Sequence, residues 1–413
     1  MALKDKDIDI YNALKNEEKR QTEGIELIAS ENYVSAEVLE TMGTVFTNKY
    51  SEGYPGHRYY GGQEFVDVIE NVARDRAKKI FNAEYVNVQP YSGSPANSEV
   101  YFALMEFGDK AMGMSLAMGG HLTHGHPKVT YSGRAYNFAQ YGVDESTHLL
   151  DYDKIREMAI KEKPKMIVCG GSAYPREIDF KAISDIAKEV GAISMADIAH
   201  IAGLIAGGAH QNAFPYIDVV TTTTHKTLRG PRGAMIMAKA EFGEKIDKAV
   251  FPGMQGGPHD HIVAAKAVAF KEALEPSFKD YARQVVKNAQ ILGDELMSKG
   301  YKLVTGGTDN HLILVDLTNK GIAGKEAEVA LDAVGITVNK NMIPYDKRSP
   351  FDPSGIRIGS AAATTRGMKE DEMTKIAHWI DEAIQNRGDD EKLKLIHNEV
   401  IDFCRQYPVP GIK

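Results

Sequence analysis

The segment TTTTHK, residues 221–226, ends in a lysine whose reactivity depends on its surroundings. A lysine near a buried strand end, with its ammonium partly desolvated, has a lowered pKa and becomes a nucleophile. Most lysines lie on solvated surface loops, but the threonine hydroxyls and His225 beside Lys226 favour a binding site. Lys226 is therefore a candidate for covalent chemistry through a Schiff base.

A second candidate group follows the apolar segment 192–196, where Asp197 precedes Ile-Ala-His200. A carboxylate at a buried strand end costs several kcal/mol unless it is paired. Asp197 therefore either caps a helix or holds a cationic ring nitrogen. His200 is either a core histidine or a contact to the same ligand.

A third candidate group is Ser92-Gly93-Ser94, which follows a strand-like segment and precedes Pro95 at a predicted helix start. Backbone N–H groups at a helix N-terminus suit a phosphate, and a plain helix cap is the alternative. A phosphate cradle, a carboxylate for a ring nitrogen and a Schiff-base lysine are together what pyridoxal phosphate requires. The combination predicts that cofactor.

Short apolar segments alternate with helical patterns through the first two thirds of the chain. The segments are 85–88, 165–169, 192–196, 218–220 and 234–238. This alternation predicts an α/β fold with a mostly parallel sheet covered by helices on both faces, and ligands gather at the carboxyl ends of such strands. A helical pattern over 281–297 and apolar segments at 301–304 and 311–316 predict a smaller C-terminal α+β domain.

Composition limits the classes of partner. The 413-residue chain has a net charge of −8, which disfavours nucleic acid as a main partner. It has no apolar run of about 18 residues, so no membrane association is expected. Its two cysteines, Cys169 and Cys404, have no neighbours typical of a zinc or redox motif, so reduced thiols and no metal are expected. The N-terminus is unlike a signal peptide, and a cytoplasmic location is expected.

Several motifs resemble those of the serine hydroxymethyltransferase family, and two of them are highly specific. These two are EGYPGHRYYGG within 48–63 and TTTTHKTLRGPRG within 219–234; the others lie at 26–34, 119–126, 195–205, 251–259, 306–313 and 354–360. The resemblance implies the pyridoxal-phosphate-dependent transferase fold of type I, with a seven-stranded sheet in a large domain. It implies an N-terminal arm at 1–50 that contributes to a dimer contact, a large cofactor domain at 51–275 and a small domain at 276–413.

The resemblance also implies an activity: reversible transfer of the serine hydroxymethyl carbon to tetrahydrofolate, giving glycine and 5,10-methylenetetrahydrofolate. Lys226 would bind the cofactor covalently, and Asp197 would pair with its pyridinium nitrogen. The further cofactor contacts that the resemblance implies are Ser92, Gly93, Ser94, His121, Ser172, His200, His225, Gly256 and Gly257. Arg357 would hold the substrate carboxylate, a task suited to a planar guanidinium, and Ser30 would lie close to it.

In this family the site is shared across a homodimer. Tyr50, Glu52, Tyr59, Tyr60, Gly256 and Gly257 would come from the neighbouring subunit. Glu52 would handle a proton, with Tyr50 and His225 among the catalytic groups. The folate walls would be Leu116, Gly120, His121, Leu122, Asn341, Ser349, Pro350 and Phe351.

Two alternatives keep the fold but change the function. One is a folate-independent aldolase acting on threonine or other β-hydroxy amino acids, which has no need of Glu52, Tyr59 and Tyr60 as a pterin site. The other is a binding protein that lost catalysis, which the intact lysine, aspartate and arginine argue against. One departure from the family pattern is Ser360-Ala361 in place of the usual Thr-Pro, which predicts a looser segment behind Arg357.

Overall fold

Seven strands form the main sheet of the computed structural model, which describes residues 3–412. Residues 1 and 2 of the predicted N-terminal arm and residue 413 of the predicted small domain lie outside the described residues. The strands are ordered Tyr85–Asn87, Ala234–Ala238, Val219–Thr223, Ile193–Asp197, Met166–Cys169, Lys110–Met114 and Asn137–Tyr141. Ala234–Ala238 is antiparallel to both of its neighbours, and the remaining pairs are parallel. The prediction of a mostly parallel α/β sheet is confirmed.

The main sheet separates two hydrophobic cores. Along Ala234–Ala238, Met235 and Met237 pack into one core, whereas Ile236 and the two terminal alanines pack into the other. Successive side chains of a strand point to opposite faces, so a strand covered on both faces needs apolar residues at every position. This requirement explains the unbroken apolar runs in the sequence.

Helices cover both faces of this sheet and build the rest of the chain. The α-helices are Leu3–Lys6, Ile8–Glu23, Ala36–Met42, Glu64–Phe81, Gly93–Leu104, Tyr131–Ala135, Tyr152–Glu162, Phe180–Val190, Ala202–Ala206, Gly243–Lys248, Asp260–Ala273, Pro276–Ser298, Gly324–Ala333, Ala361–Thr365, Glu370–Gln385 and Asp390–Cys404. Within residues 3–412, no helix combines the length and the apolar character that a membrane crossing requires.

A second, antiparallel sheet has the strand order Lys302–Leu303, Leu312–Asp316, Gly355–Gly359 and Asn339–Asn341. The shorter pairs are Ile25–Glu26 with Ile336–Thr337, which is parallel, and Gly53–Tyr54 with His57–Arg58. The first of these pairs brings the N-terminal segment into the core of the second sheet, where Ile25 and Leu27 are buried.

The long helix Pro276–Ser298 contributes to both cores. Its first half places Phe278 and Val285 against the main sheet, and its second half places Leu292 and Leu296 in the core of the second sheet. The predicted domain boundary at residue 275 therefore falls just before a helix that contributes to both cores. The division into 1–50, 51–275 and 276–413 stays a prediction.

Candidate active site

One cavity of about 210 Å³ opens at the carboxyl ends of two neighbouring parallel strands. Asp197 is the last residue of Ile193–Asp197, and the loop carrying His225 and Lys226 follows Val219–Thr223. The cavity is lined by Ser92, Gly93, Ser94, His121, His124, Gly171, Ser172, Asp197, Ala199, His200, Thr223, His225, Lys226 and Arg232. The fold thus brings together residues that the sequence marks at separate strand ends.

Lys226 is a partly buried lysine with few polar partners. Its Nζ donates to Thr223 Oγ1 at 3.1 Å. Burial lowers the pKa of Lys226 to about 8, and the positive charges of Arg357 and Arg232 act in the same direction, while Asp197 opposes them. A lysine with this pKa carries a useful fraction of neutral amine near neutral pH, which a nucleophile requires.

Asp197 is held as a carboxylate by three donors. Its Oδ2 accepts from Asn97 Nδ2 at 2.9 Å and lies 3.3 Å from His124 Nε2, and its Oδ1 accepts from the Ala199 N–H at 3.1 Å. Burial by itself would raise the pKa of Asp197, but the hydrogen bonds and charges, led by His124, hold it well below its ordinary value. An ionised carboxylate in this position suits a protonated ring nitrogen.

The sequence-based prediction missed Asn97 and His124. Asn97 is itself oriented by the Thr221 hydroxyl, which donates to its Oδ1 at 2.6 Å. Both residues lie close to motifs already marked, one turn beyond Ser92-Gly-Ser94 and three residues after His121. Helical spacing from a predicted phosphate cradle was the signal that could have found Asn97.

The predicted phosphate cradle lies at a helix N-terminus. Ser92 is the N-cap residue of Gly93–Leu104, and the helix start at Ser92, Gly93 and Ser94 lines the cavity, where backbone N–H groups of a first turn lack helical acceptors. A Cβ at Gly93 would lie 2.8 Å from Thr223 Cγ2, so a larger residue would crowd the strand end. The cation of Arg232 lines the same cavity. Thr223 is one of the threonines predicted to favour a binding site, whereas Arg232 was not predicted, although it lies in the lysine motif.

Three histidines of the cavity, His121, His200 and His225, are neutral near pH 7. Burial lowers the pKa of His121 to about 4 and that of His225 to about 3, and it holds the pKa of His200 well below its ordinary value. The Lys226 charge lowers all three further. Neutral rings can stack on or hydrogen-bond a cofactor without adding positive charge beside the lysine.

His121, His124 and Asp197 place one potential ligand atom each within 4.8 Å of one another. Such a trio alone would suit a divalent cation. However, His124 and Asp197 already contact each other. The surrounding hydroxyls and the helix N-terminus offer hydrogen-bond donors to a phosphate, and the lysine offers an amine to an aldehyde. The residues present therefore fit pyridoxal phosphate better than a metal ion.

An adjoining cleft of about 370 Å³ contains half of the predicted substrate and folate contacts. Its lining includes Ser30, Leu116, Gly120, His121, Leu122, Asn341 and Arg357, together with Ser172 and Lys226. Arg357 lies on the second sheet and reaches the loop that follows the strand Met166–Cys169 of the main sheet, since its Nη1 donates to the Ser172 carbonyl at 2.6 Å. Its Nε donates to Asn339 Oδ1 at 3.1 Å.

Two predicted groups of residues lie elsewhere. Ser349, Pro350 and Phe351 do not line the cleft, and Phe351 is 86% exposed. Tyr50, Gly256 and Gly257 line a separate cavity of about 380 Å³, where the Tyr50 hydroxyl lies 3.2 Å from Glu52 Oε1. Tyr59 and Tyr60 are exposed. Within one chain, therefore, these residues are not part of the Lys226 cavity.

The segment after Arg357 is held by hydrogen bonds. Ser360 is fully buried, and its hydroxyl donates to the Val285 carbonyl at 2.6 Å, which ties it to the helix Pro276–Ser298. Its backbone N–H donates to the His311 carbonyl at 3.0 Å. These bonds argue against the looser segment expected from Ser360-Ala361.

A mostly parallel sheet of seven strands, with Lys226 and Asp197 in one cavity at its strand ends, matches the fold-type I class of pyridoxal-phosphate-dependent enzymes. The family model described as serine hydroxymethyltransferase matches residues 3–380. Proteins named serine hydroxymethyltransferase in Koribacter versatilis and Acidobacterium capsulatum are each 56% identical to the chain. Their alignments cover 99% and 100% of this chain and 96% of each relative. The chain belongs to the serine hydroxymethyltransferase family.

Proposed function

We propose that the protein transfers the hydroxymethyl carbon of L-serine to tetrahydrofolate, reversibly, giving glycine and 5,10-methylenetetrahydrofolate. The observation that carries this proposal is the meeting of Lys226, Asp197 and the Ser92–Ser94 cradle in one cavity. Arg357 in the adjoining cleft adds a site for an amino-acid carboxylate. Membership of the family agrees with this arrangement.

Pyridoxal phosphate would be held by Lys226 through its aldehyde, by Asp197 through its ring nitrogen and by the N-terminus of Gly93–Leu104 through its phosphate. When bound, it supplies an electron sink for the pair left at Cα when a bond there breaks. Asp197 stays ionised because of its three donors, so it can keep a ring nitrogen protonated. His121 and His200 are neutral and would contact the cofactor without competing for that proton.

Arg357 would bind the serine carboxylate. Burial lowers the pKa of Arg357 to about 10, which leaves the guanidinium charged at neutral pH. Its Nε and Nη1 are held by Asn339 and Ser172, and this leaves Nη2 directed for an anion. A guanidinium fixed on two sides binds a carboxylate in one orientation, which aligns the serine side chain relative to Lys226.

Folate would lie in the cleft along Leu116, Gly120 and Leu122, which offer an apolar wall beside Asn341. Ser349–Phe351 could contribute only to the outer, exposed part of this site. A polar pterin with an aromatic ring system matches apolar contacts combined with a few polar groups. No feature of the described residues favours the folate-independent aldolase.

The active site is proposed to be shared within a homodimer. Glu52 and Tyr50 would act from the neighbouring subunit, where Glu52 moves a proton at the serine hydroxymethyl oxygen or at folate. In support, Tyr50 and Gly256-Gly257 line their own cavity, and Tyr50, Tyr59 and Tyr60 are exposed large aromatic side chains. Exposed aromatic side chains of this kind are typical of interfaces.

Two experiments test this function. In the first, purified protein loaded with pyridoxal phosphate is given serine with and without tetrahydrofolate, and glycine is measured. Glycine formation that folate stimulates supports the transferase, whereas cleavage of β-hydroxy amino acids at a rate that folate does not change would identify the aldolase.

In the second experiment, inactive Lys226→Gln and Glu52→Gln chains are mixed and refolded together. A shared site predicts recovered activity, and no recovery would refute it. The cytoplasmic location stays a prediction of the sequence.

A further inference from the structure

Lys266 is a buried lysine that the proposed reaction does not use. It lies in the helix Asp260–Ala273, and it is 1% exposed. Its Nζ donates to the carbonyl oxygens of Val88 at 2.6 Å, Ala234 at 2.7 Å and Pro90 at 3.2 Å. An ammonium has three hydrogens and no acceptor, so these bonds use its full donor capacity.

Three carbonyl dipoles thus face one buried cation. Burial lowers the pKa of Lys266 to about 7, and the carboxylates of Glu99 and Glu70 oppose this shift. The acceptors themselves favour the ammonium form, because a neutral amine would leave one carbonyl without a donor in a dry environment. Lys266 therefore links backbone segments rather than forming an ordinary ion pair.

The linked segments adjoin two of the segments that line the cofactor cavity. Val88 and Pro90 lie on the short connection from the strand Tyr85–Asn87 to Ser92 at the cradle. Ala234 begins the strand that follows the lysine loop, and its own N–H donates to the Pro90 carbonyl at 3.2 Å. One ammonium therefore joins the approach to the cradle with the exit of the lysine loop.

Gly233 connects this link to the residues beside Lys226. Its N–H donates to His225 Nδ1 at 3.4 Å, and its carbonyl accepts from the Thr224 N–H at 3.0 Å. A Cβ at Gly233 would lie 2.5 Å from Lys266 Cε and 3.1 Å from Nζ. The absence of a side chain at Gly233 therefore leaves the space that the Lys266 ammonium occupies.

We propose that Lys266 is a positioning residue for the cofactor site: its ammonium fixes the spacing between the Ser92–Ser94 cradle and the loop that carries His225 and Lys226. A ligand that binds both elements at once, through its phosphate and its aldehyde, needs this spacing before it binds. The inference rests on the proposed function in that the ligand is taken to be pyridoxal phosphate.

The test compares Lys266→Met with Phe270→Leu. Methionine keeps much of the length and apolar volume of the lysine side chain but removes every donor. Phe270 is a fully buried residue one turn further along the same helix, in the main core.

The readouts are the dissociation constant for pyridoxal phosphate, the competition of inorganic phosphate with its binding, and the urea midpoint of each apoprotein. We expect Lys266→Met to weaken cofactor binding by about tenfold or more, the size of the loss that follows removal of an outer-shell partner at metal sites. Phe270→Leu should lower the urea midpoint and leave the dissociation constant within about twofold of wild type, since it alters packing but removes no hydrogen bond to the loops.

A Lys266→Met chain that loses stability as Phe270→Leu does, but binds pyridoxal phosphate as wild type does, would overturn the proposal. Should Lys266→Met not fold, Gly233→Ala provides the milder displacement of the same ammonium. It should also weaken cofactor binding, and unchanged binding there would contradict the positioning role. A wild-type chain that binds no pyridoxal phosphate would overturn the proposed function itself, an outcome distinct from equal binding by wild type and variant.

Discussion

Asn97 Nδ2 donates to Asp197 Oδ2 at 2.9 Å, which joins the helix Gly93–Leu104 to the end of the strand Ile193–Asp197. Thr221, which pairs with Asp197 in the sheet register, orients the same amide through its hydroxyl. The carboxylate is thus fixed in direction as well as in charge. A fixed anion of this kind is a preorganised partner for a cationic ring atom.

Replacement of Asp197 should affect turnover more than folding. Asp197→Asn keeps the shape of the side chain but removes the charge, so we expect kcat to fall by about 10²–10³-fold, as with loss of one preorganised electrostatic group. The matched control is Asp218→Asn at the opposite end of the neighbouring strand, where Asp218 binds Ser194 and Lys239. That variant should keep kcat near wild type. The value of kcat is measured by steady-state glycine formation. Equal losses of kcat in both variants would show that Asp197 has no specific role in the reaction.

The lowered pKa of Lys226 predicts a pH dependence for cofactor attachment. The neutral amine attacks the aldehyde, so the attachment rate to the apoprotein should rise about tenfold per pH unit below the pKa and level off above about 8. Stopped-flow absorbance over a range from about pH 6 to about pH 10 measures this rate. A lysine titrating near its ordinary 10.5 would still accelerate at about pH 9, and that profile would contradict the assigned burial effect.

Arg357 should control affinity for serine. Arg357→Lys keeps a positive charge but loses the planar geometry, so we expect the KM for serine to rise by about 10- to 100-fold, with a smaller change in kcat. Arg348→Lys is the control, because Arg348 forms an exposed ion pair with Asp352. Its KM for serine should match wild type. A KM for serine that Arg357→Lys leaves unchanged would show that the serine carboxylate binds at another residue.

Buried neutral histidines should make the protein sensitive to acid. His311 is fully buried, its Nε2 lies 3.2 Å from His200 Nδ1, and burial lowers its pKa from 6.5 to about 3. The unfolded chain therefore binds a proton at this ring before the folded chain does as the pH falls below 6.5. The free energy of unfolding should drop by about 1.4 kcal/mol from this ring between about pH 7.5 and about pH 5.5.

Urea titrations at the two pH values check this contribution. His311→Gln should show a smaller pH-dependent drop than wild type by that amount. An identical drop in wild type and His311→Gln would show that His311 is not the titrating group.

The fold and the centre of the site could be predicted from the sequence because strong local patterns define them. Apolar runs mark the strands, and residues immediately after the carboxyl ends of parallel strands must converge, so the sequence alone was enough to pair Asp197 with Lys226. One predicted strand end was wrong, because Thr221–Thr223 belong to the strand rather than to the loop after it. The buried hydroxyls of Thr221 and Thr222 donate to Asn97 Oδ1 and to the Thr223 carbonyl, and threonine has a high β propensity, so a polar run here does not end the strand.

What could not be predicted depends on contacts distant in sequence. Asn97, His124 and Lys266 act through partners that only the folded chain brings near, and no local pattern distinguishes Lys266 from the other lysine of its helix. The N-terminal strand Ile25–Glu26 pairs with Ile336–Thr337, far away along the chain, and the sequence carries no register signal for this pairing.

The measurement that tests the central claim most directly is borohydride reduction of the protein mixed with pyridoxal phosphate, followed by peptide mapping. Reduction fixes the cofactor permanently to whichever amine holds it. The site geometry predicts bleaching of the visible absorption band and one labelled peptide, which contains Lys226. Label on another lysine, or a chain that takes up no label while folded, would contradict the assignment of this cavity as the cofactor site.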